Sequence, residues 1–127
     1  MVIIPLLLIP FNSILPMYAV GHIDNYNCPE HLPAMVEAGW SLAELRQVDA
    51  IVWAETRCQS VVSDTHDYGL MQVNRKVWRS TIEDAGATMQ DLLDPVTGLR
   101  WGKYVSEQAE VYGWCKWQPW YMSGNWC

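Results

Sequence analysis

Four cysteines lie along a chain of only 127 residues: Cys28, Cys58, Cys115 and Cys127. Their spacing contains neither a Cys-x-x-Cys pair nor the Cys and His pattern of a zinc site. An even number of cysteines in a small domain predicts two disulfides, each adding about 2 to 4 kcal/mol to its stability. The sequence does not choose among the three pairings, and free buried thiols are the alternative. Two disulfides indicate an oxidising compartment.

The first 20 residues are mostly apolar and carry no charge. Small residues at positions 19 and 21 are typical of a signal-peptide cleavage site before His22. The segment departs from the usual signal peptide in having no Lys or Arg and in containing three prolines. The alternatives are a membrane anchor and an N-terminal strand or disordered segment. The prolines disfavour an anchor, because a spanning helix needs about 20 uninterrupted apolar residues. We therefore expect a signal peptide over residues 1–21 and one domain over residues 22–127.

The chain is acidic, with a formal net charge of −6 and a pI near 4.8. Nucleic acids and anionic membranes attract clustered Lys and Arg, so neither is an expected partner. His22, His31 and His66 do not form a metal-binding spacing, and no glycine-rich phosphate loop is present. We expect no cofactor, no metal, a monomer, and no membrane contact after signal removal.

Tryptophan is unusually frequent, with eight in the chain and five of them within residues 101–127. Indole rings stack on sugars, and Trp114, Trp117 and Trp120 recur every three residues. In a domain of this size, however, most tryptophans belong to the core. The terminal segment "WCKWQPWYMSGNWC" is too broken for a helix, and we expect an aromatic-rich loop closed by cysteines.

The strongest helical pattern covers residues 42–57, in "SLAELRQVDAIVWAETRC". Ser41 and Glu44 form a capping box, which satisfies free N–H groups at the helix start. The apolar side chains that recur on one face are Leu45, Val48, Ile51 and Val52. Glu55 lies on the same face, one helical turn beyond the last two of them.

Glu55 has two interpretations. At a helix end it reaches solvent or pairs with Arg57. In an apolar pocket its pKa rises, because burial disfavours the charged form, and such a carboxyl group is a suitable general acid near neutral pH. The second interpretation predicts acid–base chemistry at the end of this helix.

Four further helical segments are expected, over residues 30–38, 80–85, 88–93 and 95–112. The segment "SDTHDYG" is typical of a turn, and "GLMQVN" over residues 69–74 predicts a brief strand or hairpin arm. Gly98 and Gly102 lie on the last helix at a spacing that favours close approach of a neighbouring helix or loop. The predicted fold class is therefore mainly α, with a small β element.

Three short stretches together resemble the SLT-domain pattern of lytic transglycosylases: Glu55-Thr56, Ser63 and Gly69-Leu70-Met71-Gln72. The segment "DYGLMQVN" is also similar to the part of animal-type lysozymes that carries their aspartate. The resemblance covers about residues 28–127 and extends to small SLT-like proteins of bacteria and phages. It implies the α+β lysozyme-like fold, a helical domain with a small β-hairpin beside the active-site cleft and a catalytic Glu ending a buried helix.

The resemblance implies cleavage of the MurNAc–GlcNAc β-1,4 bond of peptidoglycan, or of a related amino-sugar glycan, with Glu55 as general acid and base. A lytic transglycosylase lets the substrate's own 6-hydroxyl attack, whereas a hydrolase uses a second carboxylate, for which Asp67 is the candidate. SLT domains commonly have a small apolar residue there, so Asp67 fits the lysozyme pattern better. An aspartate before Tyr-Gly is also a normal turn residue, and both chemistries remain open.

Six further residues are expected to bind substrate: Thr56, Ser63, Tyr68, Gln72, Asn74 and Tyr121. Hydroxyl and amide groups suit the hydroxyl and N-acetyl groups of sugars, and tyrosine adds a ring face. Thr56 stands where the family has serine and keeps the hydroxyl. The stretch "YMSG" at 121–124 resembles the family's Tyr-Asn-Ala-Gly element, with Met122 in place of asparagine.

Two other functions fit the same pattern. A non-catalytic glycan-binding module would keep the fold and the tryptophans, and a virion or toxin component would use the aromatic tail as an interaction surface. Enzymes that attack anionic cell walls are usually basic, so the acidic charge also leaves a chitin-like or locally neutral glycan open. We expect a secreted, periplasmic or virion-associated protein.

Overall fold

The computed structural model describes residues 25–127, so the predicted signal peptide over residues 1–21 and the predicted cleavage site before His22 lie outside the described residues. Four α-helices are present in the described part: α1 (Leu32–Glu37), α2 (Leu45–Thr56), α3 (Arg75–Asp84) and α4 (Pro95–Val111). Two strands, β1 (Asp67–Tyr68) and β2 (Val73–Asn74), pair antiparallel between α2 and α3. Short 3-10 turns occur at Pro29–His31, Leu42–Glu44, Met89–Leu93 and Gln118–Trp120. The predicted fold class, mainly α with a small β-hairpin, is confirmed. None of the helices over residues 25–127 is long and apolar enough to cross a membrane.

Helix α2 begins and ends close to the predicted positions. The Ser41 backbone N–H donates to Glu44 Oε1 at 2.9 Å, which forms the predicted capping box ahead of the helix. The helix ends where Arg57 adopts a left-handed conformation with φ 53°. Its predicted apolar face is fully buried: Leu45, Val48, Ile51 and Val52. The core therefore forms around the helix that carries Glu55.

Two disulfides pair the four cysteines in sequence order, Cys28 with Cys58 and Cys115 with Cys127. The first joins the N-terminal segment to the end of α2. The second closes the aromatic tail into a loop, as the sequence predicted. The disulfides therefore constrain the N-terminal segment of the described chain and its C-terminal tail.

The start of α3 differs from the prediction. A helix was expected only near residues 80–85, but α3 begins at Arg75, where the Asn74 side chain caps it by accepting a hydrogen bond from the Val77 backbone N–H at 3.1 Å. The predicted strand over residues 69–74 is also shorter, since only its last two residues pair. The stretch before them is a turn, in which Gly69 and Gln72 have positive φ values of 82° and 55°.

This turn packs against the glycine pair of α4. A Cβ atom on Gly69 would lie 2.5 Å from the Leu92 carbonyl oxygen, and one on Gly98 would clash with the same oxygen. A Cβ atom on Gly102 would overlap the Met71 side chain. The predicted close approach at the glycine pair is confirmed, and the approaching segment is the Gly-Leu-Met-Gln turn.

Gly98→Ala should lower the free energy of unfolding by about 2 kcal/mol, because the added methyl group meets a backbone carbonyl that cannot move aside freely. On an open helix surface the same change would instead stabilise by up to about 1 kcal/mol. Urea unfolding followed by tryptophan fluorescence measures the difference. Ser80→Ala on the exposed surface of α3 is the control and should be neutral or stabilising. A stabilised Gly98→Ala variant would contradict the packing described.

Candidate active site

A cavity of about 680 Å³ lies between the hairpin, α3, α4 and the C-terminal tail. This volume is in the range of small-molecule sites. The polar side chains lining it are Glu55, Asp67, Gln72, Asn74 and Gln108. The apolar and aromatic side chains are Val73, Val77, Trp78, Val105, Ala109, Tyr112, Trp114, Pro119, Trp120 and Met122. Among the described lining residues none is basic, so the cavity is mostly apolar with an acidic side.

Glu55 reaches this cavity from the last turn of α2 and is partly buried there. Removal of the carboxyl group from water raises its pKa, and the polar side chain of Ser123 nearby partly offsets that rise. The negative charge of Asp67 raises the pKa of Glu55 further. The environment thus favours a protonated carboxyl group at a cavity wall, the state that a proton donor requires.

Asp67 is held firmly by the turn and by the opposite strand. Its Oδ1 accepts from Asn74 Nδ2 at 2.7 Å, and its Oδ2 accepts from the hydroxyls of Ser63 at 3.3 Å and Thr65 at 2.5 Å. Its backbone N–H donates to Ser63 Oγ at 3.1 Å. The carboxylate therefore organises the turn and, at the same time, places a fixed negative charge on the cavity wall.

The cavity brings together four of the predicted site residues: Glu55, Asp67, Gln72 and Asn74. The Gln72 amide nitrogen donates to the backbone carbonyls of Val61 at 3.1 Å and Gly69 at 3.0 Å, so part of its hydrogen-bonding capacity fixes the hairpin. The Asn74 side chain spans Asp67 and the start of α3. These two amides therefore shape the wall as well as facing the cavity.

The other four predicted residues are not among the cavity-lining side chains. The Thr56 hydroxyl lies 3.0 Å from the Val52 carbonyl and 3.2 Å from that of Leu70, and so links the end of α2 to the turn. The Ser63 hydroxyl is engaged by Asp67. Tyr68 packs partly buried against the core. Tyr121 is exposed and lines a second, neighbouring cavity.

Most of the apolar wall was not singled out from the sequence. Along α4 and the residue that follows its end, the wall residues recur at helical spacing and are Val105, Gln108, Ala109 and Tyr112. That spacing is a readable signal, although it does not say whether the face meets a core or a cavity. Val77 and Trp78 come from the first turn of α3, whose start was placed five residues or so too late.

The C-terminal tail forms the remaining wall because one indole anchors it. Trp120 is buried, and its Nε1 donates to the Met71 carbonyl at 2.7 Å. The Trp120 carbonyl in turn accepts from the Ser123 hydroxyl at 3.1 Å and from Trp126 Nε1 at 3.0 Å. These bonds place Ser123 beside Glu55, so the tail contributes to the environment of that carboxyl group.

Within residues 25–127, one group of potential metal ligands is close enough to share an ion: Cys28, Glu30 and Cys58. The two sulfurs are bonded to each other in a disulfide, and a disulfide supplies no thiolate for a metal. The group therefore does not form a metal site as it stands.

Residues 41–119 match a protein-family model described as the transglycosylase SLT domain. The match covers more than half of the chain and includes α2, the hairpin, α3 and α4. Glu55 and Asp67 lie inside it, whereas Tyr121 and Ser123 lie beyond it. Neither the search of curated proteins nor the search of solved structures gave a match.

Proposed function

Because the chain belongs to the transglycosylase SLT-domain family, whose function is cleavage of peptidoglycan, we propose that it cuts the MurNAc–GlcNAc β-1,4 bond with Glu55 as general acid and base. The observation that carries this proposal is the Glu55 carboxyl group, which ends a buried helix on a cavity wall where its pKa is raised. The domain has the mainly helical, lysozyme-like α+β fold of its family.

Cleavage of a glycosidic bond requires a proton on the leaving oxygen and passes through an oxocarbenium-like state. In the proposed reaction the protonated Glu55 carboxyl group gives its proton to that oxygen as the C–O bond breaks. The resulting carboxylate then takes a proton from the 6-hydroxyl of the same sugar, whose oxygen bonds to the anomeric carbon. One residue thus acts first as acid and then as base, and an anhydro sugar forms without water.

We infer that Asp67 supports this chemistry through its charge. Three donors, from Ser63, Thr65 and Asn74, use three of the about four acceptor positions of its carboxylate, which ties it to the turn and lowers its capacity to accept a proton from water. Its negative charge raises the pKa of Glu55 and stabilises positive charge developing on the sugar. These contacts favour the transglycosylase route over hydrolysis.

Mass spectrometry of peptidoglycan digested by the purified protein tests the proposal. Anhydro-muramyl ends are the expected product. Reducing ends would contradict the transglycosylase route and indicate hydrolysis with Asp67 as second carboxylate. Complete absence of cleavage on both purified peptidoglycan and chitin would contradict the enzymatic function.

The pH dependence of cleavage should follow the protonation of Glu55. Since the acid form is the active form at the start of the reaction, kcat/KM should fall as the pH rises through the raised pKa of Glu55. Asp67→Asn removes a charge that raises this pKa, so the alkaline limb of the profile should move to lower pH. An unshifted limb in the Asp67→Asn variant would contradict the electrostatic role.

The substrate class and the two disulfides both support a location outside the cytosol. Cell-wall substrates lie there, and two disulfides persist best in an oxidising compartment. We propose that residues 1–21 are removed as a signal peptide and that residues 22–127 act as a single-domain monomer, either secreted, periplasmic or associated with a virion. N-terminal sequencing of the exported protein checks the cleavage site.

A further inference from the structure

The tail disulfide, Cys115–Cys127, encloses part of the wall of the candidate active site. Ser123, whose polar side chain lies near Glu55, belongs to the loop between these two cysteines. Three residues that line the cavity lie in the same loop: Pro119, Trp120 and Met122. Opening this disulfide would therefore act on the surroundings of Glu55.

The first part of the loop, residues 116–120, is attached to distant parts of the chain. Lys116 Nζ donates to Glu44 Oε2 at 2.6 Å, which joins the loop to the turn before α2. Trp120 is buried and donates to the Met71 carbonyl at 2.7 Å. These contacts do not depend on the disulfide, so we expect this part to stay in place without it.

The second part, residues 121–127, is attached mainly to the loop itself. The Ser123 hydroxyl and Trp126 Nε1 both donate to the Trp120 carbonyl, at 3.1 and 3.0 Å. Trp126 is only partly buried against the core. A covalent cross-link removes conformational freedom that contacts of this kind restrict weakly. Reduction of the tail disulfide should therefore release residues 121–127 from the cavity wall.

The two disulfides differ in their access to solvent. Cys115 and Cys127 are both exposed, whereas Cys28 is fully buried and Cys58 is half-buried. Reduction begins when a thiolate attacks a disulfide sulfur, so access influences which disulfide reacts first. A small dithiol in solution should therefore reduce the tail disulfide and spare the buried one.

The exchange reaction needs a dithiol as its reductant. One thiolate of the dithiol attacks a sulfur of the tail disulfide, and the other cysteine leaves as a thiolate that takes up a proton. The second thiol of the reductant then displaces the remaining cysteine from the mixed disulfide. Two electrons thus pass to the two cysteines, and the reductant leaves as a cyclic disulfide. A disulfide oxidant reverses the exchange and closes the loop again.

We propose that the tail disulfide is a redox switch that couples cleavage to the oxidation state of the surroundings. The oxidised form holds residues 121–127 at the cavity, and reduction releases them and slows cleavage. This inference rests on the proposed function, because the reaction that it regulates is the cleavage at Glu55. Cys127 lies beyond residues 41–119, so the family match does not include this disulfide. A chain in a reducing compartment is therefore a slow enzyme, and it becomes fully active where disulfides form.

Stepwise reduction of the full chain with dithiothreitol tests the proposal. Free thiols are alkylated and located by peptide mass spectrometry, and cleavage of purified peptidoglycan is measured in parallel. Cys115 and Cys127 should be labelled before Cys28 and Cys58, and cleavage should fall by about tenfold as they are labelled, because the wall beside Glu55 loses its fixed geometry. Reoxidation before alkylation should restore the rate.

Hydrogen exchange provides a readout that does not depend on activity. Reduction of the tail disulfide should speed exchange in residues 121–127 and leave exchange in α2 unchanged. The paired variant Cys115→Ser with Cys127→Ser should cleave like the reduced protein and show no response to dithiothreitol. The matched control, Cys28→Ser with Cys58→Ser, keeps the tail disulfide and should still lose activity on reduction. Circular dichroism verifies folding, and the labelling order in the unaltered chain decides the question if a variant is unfolded.

The proposal is overturned if the protein with a reduced tail disulfide cleaves as fast as the oxidised one, or if the loss of activity follows reduction of Cys28–Cys58. It is also overturned if exchange rises equally in α2 and the tail, since the loss would then reflect general unfolding. Failure of the proposed function has a different signature, which is absence of cleavage by the fully oxidised protein. The exchange measurement would then decide alone whether the disulfide controls residues 121–127.

Discussion

Glu55→Gln is expected to reduce the release of soluble fragments from purified peptidoglycan by on the order of 10²- to 10⁴-fold. Glutamine has nearly the same shape as glutamate, but its amide neither donates a proton to the glycosidic oxygen nor accepts one afterwards. Liquid chromatography of the released fragments measures the loss. Binding of the glycan should persist, because the apolar walls of the cavity are unchanged.

The matched control is Glu107→Gln, an exposed carboxylate on α4 whose partner is Lys103 at 3.3 Å. It changes the net charge by the same amount and lies outside both cavities. Its activity should stay within about twofold of the parent, since exposed ion pairs contribute little. Unchanged activity in Glu55→Gln would refute the catalytic assignment and favour a non-catalytic glycan-binding module on the same fold.

Glu55→Gln should also change the free energy of unfolding, by an amount that depends on pH. The pKa of Glu55 in the folded state is raised above its usual value, so folding favours the protonated form. Its contribution to stability is therefore fully present below the unfolded pKa and is lost as the pH rises through the folded pKa. Glu55→Gln should consequently be more stable than the parent at neutral pH and lose that advantage in acid, as thermal unfolding at the two pH values would reveal.

The position of Glu55 was predictable because local information determines it. A capping box marks the 3-10 turn that leads into α2, and a regular apolar spacing marks the buried face of the helix. Both features come from residues close together in the sequence. The start of α3 was not predictable in this way. Asn74 ends a strand and caps a helix at once, and the exposed residues that follow it, Arg75 and Lys76, give no apolar period.

The polar residues around the hairpin show a second limit on what the sequence predicts about the site. Thr56 and Ser63 have the side chains expected of sugar-binding groups, yet their hydroxyls are taken up by backbone and carboxylate oxygens. Residue type alone does not predict which hydrogen-bond partner a hydroxyl group has in the folded protein. The pairing of the cysteines and the approach of Ser123 to Glu55 likewise depend on contacts between distant parts of the chain.

Asp49 is a second acidic residue on α2, and the sequence pattern around it does not distinguish it from an exposed helix residue. It is buried with 3% of its surface exposed and accepts hydrogen bonds from the backbone N–H groups of Asn27 at 2.9 Å and Cys28 at 2.7 Å. The Asn27 side chain adds a third donor at 3.1 Å. Asp49 thus attaches the N-terminal segment to α2, and it is not one of the residues that line the cavity.

Asp49→Ala should lower the free energy of unfolding by about 3 kcal/mol, because it removes a buried charged acceptor and leaves buried donors without a partner. Urea unfolding followed by tryptophan fluorescence measures this loss. Asp64→Ala, at an exposed position in the loop before β1, is the control and should change stability by less than about 0.5 kcal/mol. The Cys28–Cys58 disulfide holds the same segment, so the loss should grow when that disulfide is reduced. If Asp49→Ala unfolds at the same urea concentration as Asp64→Ala, the segment is held by the disulfide and core packing alone.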